Sequence, residues 1–397
     1  MDDGTAPTIG QTIARLRRKK MTQNDLAAAA GVSVDLVRKL EQGQRHTVSI
    51  ASLHRLARAL DVDAGELLGR PTSLPDPGPH SGAVAIRQAL TSVEDLIGDD
   101  EAVEAFTLDE GRRLVGYAWA GYWAGHYDAL GRLLPSAIAQ ARATTRAVSA
   151  AERADAHDLS AQIHQVAACT LVHLGYGDIA HLALREALSV AELGGDPLRP
   201  AALRGSVAWV LLTQGRYAES HRLASSAALG IDFGDDVPAL TLHGSLLLNA
   251  ATAAGRGGQR GDAAALLDEA GLVADRTGYR SDYEVAFGPD QVRMQTVDVD
   301  VVTEEYESAL ATAADLPEET SLPLAARCRH LSDVALSHTR LGHDGAALDT
   351  LLRIEQAAPT WMSFQSQPRQ IVGELRHRAA NPPRLTALAE RMGLARV

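Results

Sequence analysis

The sequence predicts an all-α protein, and three observations support this fold class. Apolar residues make up 46% of the 397 residues, whereas aromatic residues make up only 4%. Alanine is very frequent, and such a mixture suits close-packed helices better than strands. Glycine-containing turns separate long stretches in which leucine and alanine recur with helical spacing. Because domains usually span about 100–200 residues, the length also predicts two or three units.

A proline-rich segment divides the chain into two parts. The sequence RPTSLPDPGPHS, from Arg70 to Ser81, contains four prolines. Prolines prevent helix formation, so this segment predicts a semi-rigid linker. We therefore expect one domain over residues 1–70, a linker over 71–80 and a second domain over 81–397.

The two parts differ in charge. The whole chain has a net charge of −12, but residues 1–70 carry 11 Lys/Arg against 8 Asp/Glu. The remainder carries 27 against 42, and all three lysines, Lys19, Lys20 and Lys39, lie in the first part. A basic N-terminal part attached to an acidic remainder favours phosphate contact through the N-terminal face alone.

Several function classes have no support in the sequence. No stretch of 18 or more uncharged apolar residues occurs, and the acidic start MDDGTAPTIG is unlike a signal peptide. Cys169 and Cys328 lie far apart and suggest no metal site or disulfide framework. Phosphate-binding, zinc-protease and nucleophile-elbow motifs are missing. We therefore expect a cytoplasmic protein that is not an enzyme, with no catalytic residues, metal or cofactor.

Five short helices are predicted before the linker. The first, over residues 8–20, turns Ile9, Ile13 and Leu16 inward. Thr22 is expected to cap a second helix that ends at Gly31. The other three are a helix capped by Ser33 and stopped by Gly43, a helix from about Ser49 to Leu60, and a short AGELLG helix capped by Asp63.

The basic residues at the end of the first helix allow two interpretations. Arg17, Arg18, Lys19 and Lys20 all point outward in this prediction. They form either a solvated face or a set of phosphate contacts.

The segment MTQNDLAAAAGVSVDLVRKLEQGQRHTVSIASLHRLARALDVDAGELL resembles the Cro/repressor (XRE) helix-turn-helix family over its whole length. The Thr-Gln opening, the turn glycine, the Glu-x-Gly exit and the trailing Leu-x-x-Leu-Ala-x-Ala-Leu all occur in register. The resemblance implies a five-helix DNA-binding domain whose third helix enters the major groove.

The resemblance also implies roles for individual residues. Val34, Asp35 and Lys39 would face base edges, with Arg38 beside them. Gln23 would bind phosphate at the start of the second helix. Ser33, Gln44 and Arg45 would hold the DNA backbone on the other side.

Two positions depart from the family pattern. Asp35 is negative where many relatives carry a neutral polar residue, and Leu36 replaces a frequent small hydroxyl residue. Asp35 has a second interpretation, as a partner of the helix dipole that does not touch DNA.

The second domain contains a quasi-repeat of glycine turns. Each turn follows one helical stretch and precedes another, and the spacing implies a further degenerate unit near residue 300. A single helix pair cannot bury its own apolar face, so this pattern resembles a tetratricopeptide-like α-solenoid. A globular helical bundle remains the alternative. The turns lie at Gly125, Gly177, Gly215, Gly258 and Gly342.

The second domain also resembles the C-terminal part of actinobacterial regulators that combine these two modules. The resemblance rests on VAFGPDQV, on LSDVALSHTRLGHDGAALDTLLRIEQAAP and on LTALAERMGL. It implies dimerisation and an effector, either a peptide or a small molecule. Candidate ligand-binding residues on the concave wall are Trp119, Trp123, Trp209, His243, Asn249 and Arg293.

Together these patterns predict a sequence-specific transcriptional regulator. It would bind a roughly palindromic operator in double-stranded DNA as a homodimer, with no membrane partner. The alternative is a protein-interaction scaffold or antitoxin-like protein, whose repeat domain binds another protein.

Overall fold

The computed structural model describes residues 9–18, 20–44, 50–60, 62, 67, 81–93, 97, 103–317, 320–378 and 382–394. Within these ranges the regular elements are helical, apart from one isolated β-bridge between Arg280 and Phe287. The all-α prediction is therefore confirmed. The chain divides into two compact units, Met1–Gly78 and Pro79–Val397, which are described separately below.

The first unit contains four described helices around one small core. Its apolar centre includes Ile13, Leu26, Val37, Leu40 and Leu56, all at most 1% exposed. The predicted fifth helix lies outside the described residues except for Leu67, which is helical and fully buried. The helices are α1 (Ile9–Arg17), α2 (Gln23–Ala30), α3 (Val34–Glu41) and α4 (Ile50–Leu60).

Local capping determines where α2 and α3 begin and end. Thr22 and Asp25 form a reciprocal capping box at the start of α2. Gly31 ends α2 in the left-handed conformation with φ of 60°, which glycine adopts without steric penalty. The Ser33 hydroxyl accepts a hydrogen bond from the Leu36 amide and caps α3. The predicted caps at Thr22 and Ser33 are confirmed, whereas α1 ends at Arg17, earlier than predicted.

In its described part, the second unit contains sixteen helices and one 3-10 turn. The first, α5, packs on α7 through Gly82 and Gly131, where either Cβ would lie under 3 Å from the other backbone. The helices are α5 (Ser81–Leu90), α6 (Leu108–Trp123), α7 (Tyr127–Ala147), α8 (Arg153–His173), α9 (Gly177–Ala191), α10 (Arg199–Thr213), α11 (Tyr217–Leu229), α12 (Val237–Arg256), α13 (Arg260–Thr277), α14 (Pro289–Val302), α15 (Tyr306–Ala314), α16 (Leu324–Arg340), α17 (Asp344–Ala357), α18 (Pro359–Ser363), α19 (Ser366–His377) and α20 (Pro383–Arg391); the 3-10 turn is Asp282–Glu284.

Six helix hairpins, α6/α7 to α16/α17, share one turn geometry. A left-handed residue follows the first helix, and the second helix begins two residues later. Glu304, with φ of 67°, makes this turn between α14 and α15, so the degenerate unit predicted near residue 300 exists. The prediction of Gly177 as a turn residue was wrong: Gly175 makes the turn and Gly177 begins α9. The other left-handed positions are Gly125, Gly215, Gly258 and Gly342.

The hairpins pack in sequence order, which is the arrangement of a solenoid. The first helix of each hairpin is the inner one; for example, α8 and α12 are buried around most of their circumference. The outer helices are amphipathic and expose one side.

The two ends of this solenoid meet. Helix α6 of the first hairpin contacts α16 of the last, and Trp361 of α18 packs on Gly125 in the first hairpin turn. One continuous apolar core includes residues from both ends. The concave wall that the sequence predicts as an extended groove therefore lines a partly open cavity.

Candidate functional site

The exposed side of α3 carries one apolar and three charged side chains. We call it the α3 face and define it by Val34, Asp35, Arg38 and Lys39. Val34 is 42% exposed, whereas the other large apolar side chains described in this unit pack into or against its core. The charged side chains of Asp35, Arg38 and Lys39 are about half exposed. An apolar residue among charged donors and acceptors can read base edges.

The opposite side of α3 is fixed to α1. A Cβ on Gly10 would lie 1.8 Å from the Leu40 carbonyl oxygen, so only glycine permits this approach of the two helices. At the end of α3, the Glu41 carboxylate accepts hydrogen bonds from Arg17 Nε at 2.5 Å and Nη2 at 2.8 Å. It also accepts one from Gln23 Nε2 at 2.7 Å. These contacts join α1, α2 and α3 at one point.

Arg17 and Glu41 form a largely buried ion pair in which both carboxylate oxygens accept hydrogen bonds. The side chains of Arg17 and Glu41 are only 11% and 6% exposed. Burial alone would raise the pKa of Glu41, but the hydrogen bonds from Arg17 and Gln23 outweigh it and hold the pKa below its ordinary value. Glu41 is therefore charged at neutral pH.

Two further basic side chains brace the backbone of this unit. Arg55 of α4 donates to the Gly31 carbonyl, in the turn between α2 and α3, and to Ser52 Oγ. Lys20 Nζ donates to the carbonyl of Leu60, the last residue of α4, at 2.9 Å. The sequence analysis missed both roles, because partners 24 and 40 residues away leave no local signal.

The basic residues at the end of α1 differ in their surroundings. Arg17 is largely buried against Glu41, and Lys20 is bonded to Leu60. Arg18 is exposed, and Lys19 lies outside the described residues. The outward placement predicted for Arg17 was therefore wrong, since its guanidinium neutralises a buried carboxylate.

Asp35 bonds to its own neighbours on the α3 face. Its carboxylate contacts Arg38 Nη2 at 2.5 Å and Lys39 Nζ at 2.7 Å. The hydrogen bond from Lys39 is the largest cause of the lowered pKa of Asp35, despite a small opposing effect of desolvation. The carboxylate thus orients both donors along one side of α3.

Three of the remaining predicted DNA-contact residues, Gln23, Ser33 and Gln44, are described. Gln23 is the first residue of α2, but its amide nitrogen donates to Glu41. Ser33 is exposed at the start of α3, and Gln44 is exposed just beyond its end. Arg45 lies outside the described residues.

The second unit contains a partly open cavity of about 190 Å³. Inner helices α6, α8, α10, α12, α14 and α16 line it. Among the predicted ligand residues, Trp119, Trp123, Trp209 and Asn249 are in the lining. The sequence analysis missed Arg329 and Asp333, because the closure of the solenoid is what brings α16 to this cavity.

His243 and Arg293 do not line the cavity, so we remove them from the candidate site. His243 is 6% exposed, lies beside Phe233 and bonds through Nδ1 to the Ala228 carbonyl oxygen. It faces the outer layer because the inner face of α12 is occupied by residues such as Asn249 and Arg256. Arg293 is exposed and pairs with Asp290 in its own helix.

The described residues form neither a membrane-spanning helix nor a metal-binding cluster. No helix there is both long and apolar enough to cross a membrane. No three histidine, cysteine or acidic side chains in that part of the chain are grouped so as to hold a metal ion.

Comparison with known proteins identifies the first unit. Residues 14–73 match the family of Cro/C1-type HTH DNA-binding domains. An uncharacterized HTH-type transcriptional regulator of Sinorhizobium fredii, y4dJ, is 39% identical over 61 residues. The aligned region covers 15% of this chain and 78% of that protein.

Solved structures resemble the chain only distantly. The Bacillus thuringiensis PlcR complex with the peptide PapR7 and DNA is 12% identical, with 77% of this chain and 94% of that chain covered and a TM-score of 0.34. Apo ComR of Streptococcus vestibularis is 13% identical, with 82% and 97% covered and a TM-score of 0.30.

The identity and coverage of the Sinorhizobium fredii relative are sufficient to assign a family. The chain belongs to the HTH-type transcriptional regulators, and its N-terminal unit carries a Cro/C1-type HTH DNA-binding domain.

Proposed function

We propose that this regulator binds a specific operator in double-stranded DNA by placing the α3 face in the major groove. The single observation that carries the proposal is an exposed face with Val34, Asp35, Arg38 and Lys39 on a helix whose other side is fixed to α1. A rigid helix with exposed donors is what direct readout needs, because each base pair presents a distinct pattern in that groove.

Asp35 is proposed to act as the selectivity element of this face. In the DNA-free protein its carboxylate holds Arg38 and Lys39. On the operator it would accept from a cytosine amino group while the two cations donate to guanine or phosphate. On any other sequence its charge would repel the phosphate backbone, so Asp35 would weaken non-specific binding.

The Gln23 amide supports a more limited role than the sequence suggested. Because its nitrogen is bonded to Glu41, a phosphate at the start of α2 would be bound mainly by backbone amides. Ser33, Gln44 and Arg45 remain proposed contacts to the DNA backbone.

We further propose that the regulator works as a homodimer on a palindromic site and responds to an effector in the repeat unit. Half-sites would lie about 34–36 Å apart, or a multiple of that distance. The cavity of the second unit supports the effector role, since ligand sites are concave, largely apolar and contain a few convergent polar groups. The cytoplasmic location, the tetratricopeptide-like character and the relation to actinobacterial regulators remain predictions.

Fluorescence anisotropy on two DNA duplexes tests this proposal. One duplex is selected from a random pool by the full-length protein, and the other is a scrambled sequence of the same length. Lys39→Ala should reduce the ratio of the two affinities about tenfold, in keeping with the loss of one base contact. Asp35→Ala should lower the same ratio by strengthening binding to the scrambled duplex.

Arg87→Ala is the matched control, because Arg87 is an exposed cation of the second unit. It should leave both affinities unchanged. The wild-type affinity should also fall steeply with salt, as phosphate contacts release counterions. An affinity that is indifferent to salt, or equal losses on both duplexes for Lys39→Ala, would contradict the proposed mode of binding.

A further inference from the structure

The cavity of the second unit contains all four tryptophans of the chain. Trp119, Trp123, Trp209 and Trp361 come from two inner helices, α6 and α10, and from α18. Aromatic residues make up only 4% of the sequence, so their concentration at one place is not a consequence of composition. Tyr122 adds to this wall and packs edge-to-face on Trp119 and Trp123, each at 5.2 Å between ring centroids.

Several buried polar atoms that border the cavity have no hydrogen-bond partner among the described residues. They include Trp119 Nε1, Gln165 Oε1 and Asp333 Oδ2, on side chains that are 7%, 2% and 3% exposed. Buried polar groups in folded proteins are normally bonded, and groups left open in a cavity indicate positions where a ligand can bond. Their residues line the cavity and hold one nitrogen and two oxygens that are not yet hydrogen-bonded within the described structure.

Most charges around the cavity are paired within the protein. Arg256 pairs with Asp298 at 2.9 Å, and Arg199 pairs with Glu284 at 2.6 Å. Arg329 of α16 differs: within the described part of the chain, no hydrogen bond or ion pair reaches its guanidinium. A partly buried guanidinium without a carboxylate partner is suited to a bidentate anion such as a carboxylate.

The groups near Arg329 do not neutralise it. Burial and the neighbouring Asp298 raise the pKa of Asp333 to about 7, while Gln367, Arg256 and Arg329 oppose this rise. Asp333 is therefore partly protonated at neutral pH. On the aromatic side, burial and the Arg329 charge lower the pKa of His173 to about 3, so His173 is neutral and bonds to Tyr122 at 3.2 Å.

One wall of the cavity is a strained connection between α13 and α14. Tyr283 and Glu284 adopt left-handed φ angles of 56° and 62°, which residues with a Cβ rarely adopt. The fully buried Phe287 fixes this segment, because its ring fills the space at Gly244, where a Cβ would lie 2.1 Å from it. The cavity wall is thus held in place by packing.

We infer that the cavity binds an amphipathic organic acid, with its carboxylate on Arg329 and its apolar body among the four tryptophans. Amide or hydroxyl groups of the ligand would bond to Gln165 and Asp333. This chemistry is common to small aryl or acyl carboxylic acids and to the C-terminus of a short apolar peptide. The inference deepens the proposed effector role and rests on that role only for its effect on DNA binding.

Tryptophan fluorescence of the full-length, DNA-free protein measures this binding directly, because every tryptophan borders the cavity. The probes are 3-phenylpropanoate, octanoate and a leucine-rich hexapeptide with a free C-terminus. Each is compared with its own carboxamide. At least one acid should change the fluorescence and bind about tenfold more tightly than its amide. Tighter binding of a small acid would identify the ligand as a small carboxylic acid, and tighter binding of the hexapeptide would identify it as a peptide C-terminus.

Arg329→Gln should abolish this preference for acid over amide, and Arg329→Lys should keep part of it. The matched control is Arg327→Gln on the same helix, where the side chain is exposed to solvent. Thermal unfolding of each variant reports its folding, and the acid–amide comparison on the wild type needs no variant. Equal binding of acids and amides, or no response to any acid at millimolar concentration, would overturn the inference.

The anisotropy assay separates this inference from the proposed function. Protein that binds its operator but no acid would refute the ligand assignment alone. Protein that binds an acid but no DNA would refute the operator proposal and leave the ligand assignment standing.

Discussion

The two units use buried carboxylates in opposite ways. In the first unit, both oxygens of Glu41 accept hydrogen bonds, from Arg17 and Gln23. In the second, one oxygen of Asp333 accepts from Gln367 and the other has no partner among the described residues. The pKa of Glu41 is accordingly lowered, whereas that of Asp333 is raised to about 7.

This difference indicates where each unit makes its external contacts. A fully bonded buried group stabilises a fixed platform, and in the first unit the available donors then lie outside, on the α3 face. A partly bonded group keeps an atom that can still form a hydrogen bond. In the second unit this group lines the cavity inside the ring of helices. Four substitutions test this difference between the two units.

The largest effect is expected from Gly10→Ala, which places a methyl group 1.8 Å from the Leu40 carbonyl oxygen. Helices α1 and α3 would have to separate, which we expect to cost about 3 kcal/mol or more in the free energy of unfolding. Thermal and urea unfolding would measure it. Gly116→Ala in α6 is the control, because nothing in the described structure lies within 4 Å of its Cβ position and alanine favours helices. Similar effects of both variants would contradict the proposed close contact.

Glu41→Gln should destabilise the first unit by about 3 kcal/mol, because it leaves Arg17 charged, largely buried and unpaired. The lowered pKa of Glu41 also predicts a pH dependence in the wild type. Its stabilisation should be fully present above the ordinary carboxyl pKa and be lost as the pH falls through the lower folded-state value. Urea midpoints between pH 7 and pH 3 should therefore converge for wild type and variant. A constant difference at all pH values would argue against the ion pair.

Asp333→Asn should increase the stability of the protein at neutral and higher pH, whereas Glu41→Gln should lower it. Since the folded-state pKa of about 7 exceeds the unfolded value, ionisation of Asp333 disfavours the folded state increasingly from about pH 4 to pH 7. The amide keeps an acceptor for Gln367 and removes this charge, so the variant should gain about 2 kcal/mol at pH 8. The gain should disappear at pH 4, as followed by thermal unfolding. A variant that is less stable than the wild type at pH 8 would be inconsistent with a desolvated, partly bonded carboxylate.

Gln23→Ala should have the smallest effect of the four. It removes one of the three hydrogen bonds to Glu41, which we expect to lower stability by about 1 kcal/mol. It should weaken binding to operator and scrambled DNA by the same factor, because a residue at the start of α2 reads no base edge. Anisotropy on both duplexes measures this, and a selective loss on the operator would place Gln23 among the base-reading residues.

Much of the first unit could be read from the sequence, because its signals are local. Thr22, Gly31 and Ser33 act within three or four residues of where they stand, so their spacing alone determined the caps and turns. The exposed side of α3 followed from the same periodicity. The contacts of Arg17, Lys20 and Arg55 could not be inferred, because each depends on a partner brought near by packing.

The second unit shows the limit of local signals more clearly. The hairpins were visible in the turn glycines, and even the turn at Glu304 was anticipated from spacing. The inward position of Trp119, Trp123, Trp209 and Asn249 was also expected, since inner helices of a solenoid line its concave side. His243 and Arg293 were placed incorrectly. Helical periodicity assigns each residue to a face of its helix but does not show which neighbouring element packs against that face.

The helical class, the caps, the hairpin turns and the charge difference between the two parts of the chain can be predicted from local sequence alone. These follow from the composition and from the conformational preferences of each residue and its nearest neighbours. Long-range packing was needed to show that Gly10 approaches Leu40, that Glu41 joins three helices, and that the last hairpin closes on the first around Arg329. Such contacts join residues far apart in the chain, and their energies depend on burial that no local pattern specifies.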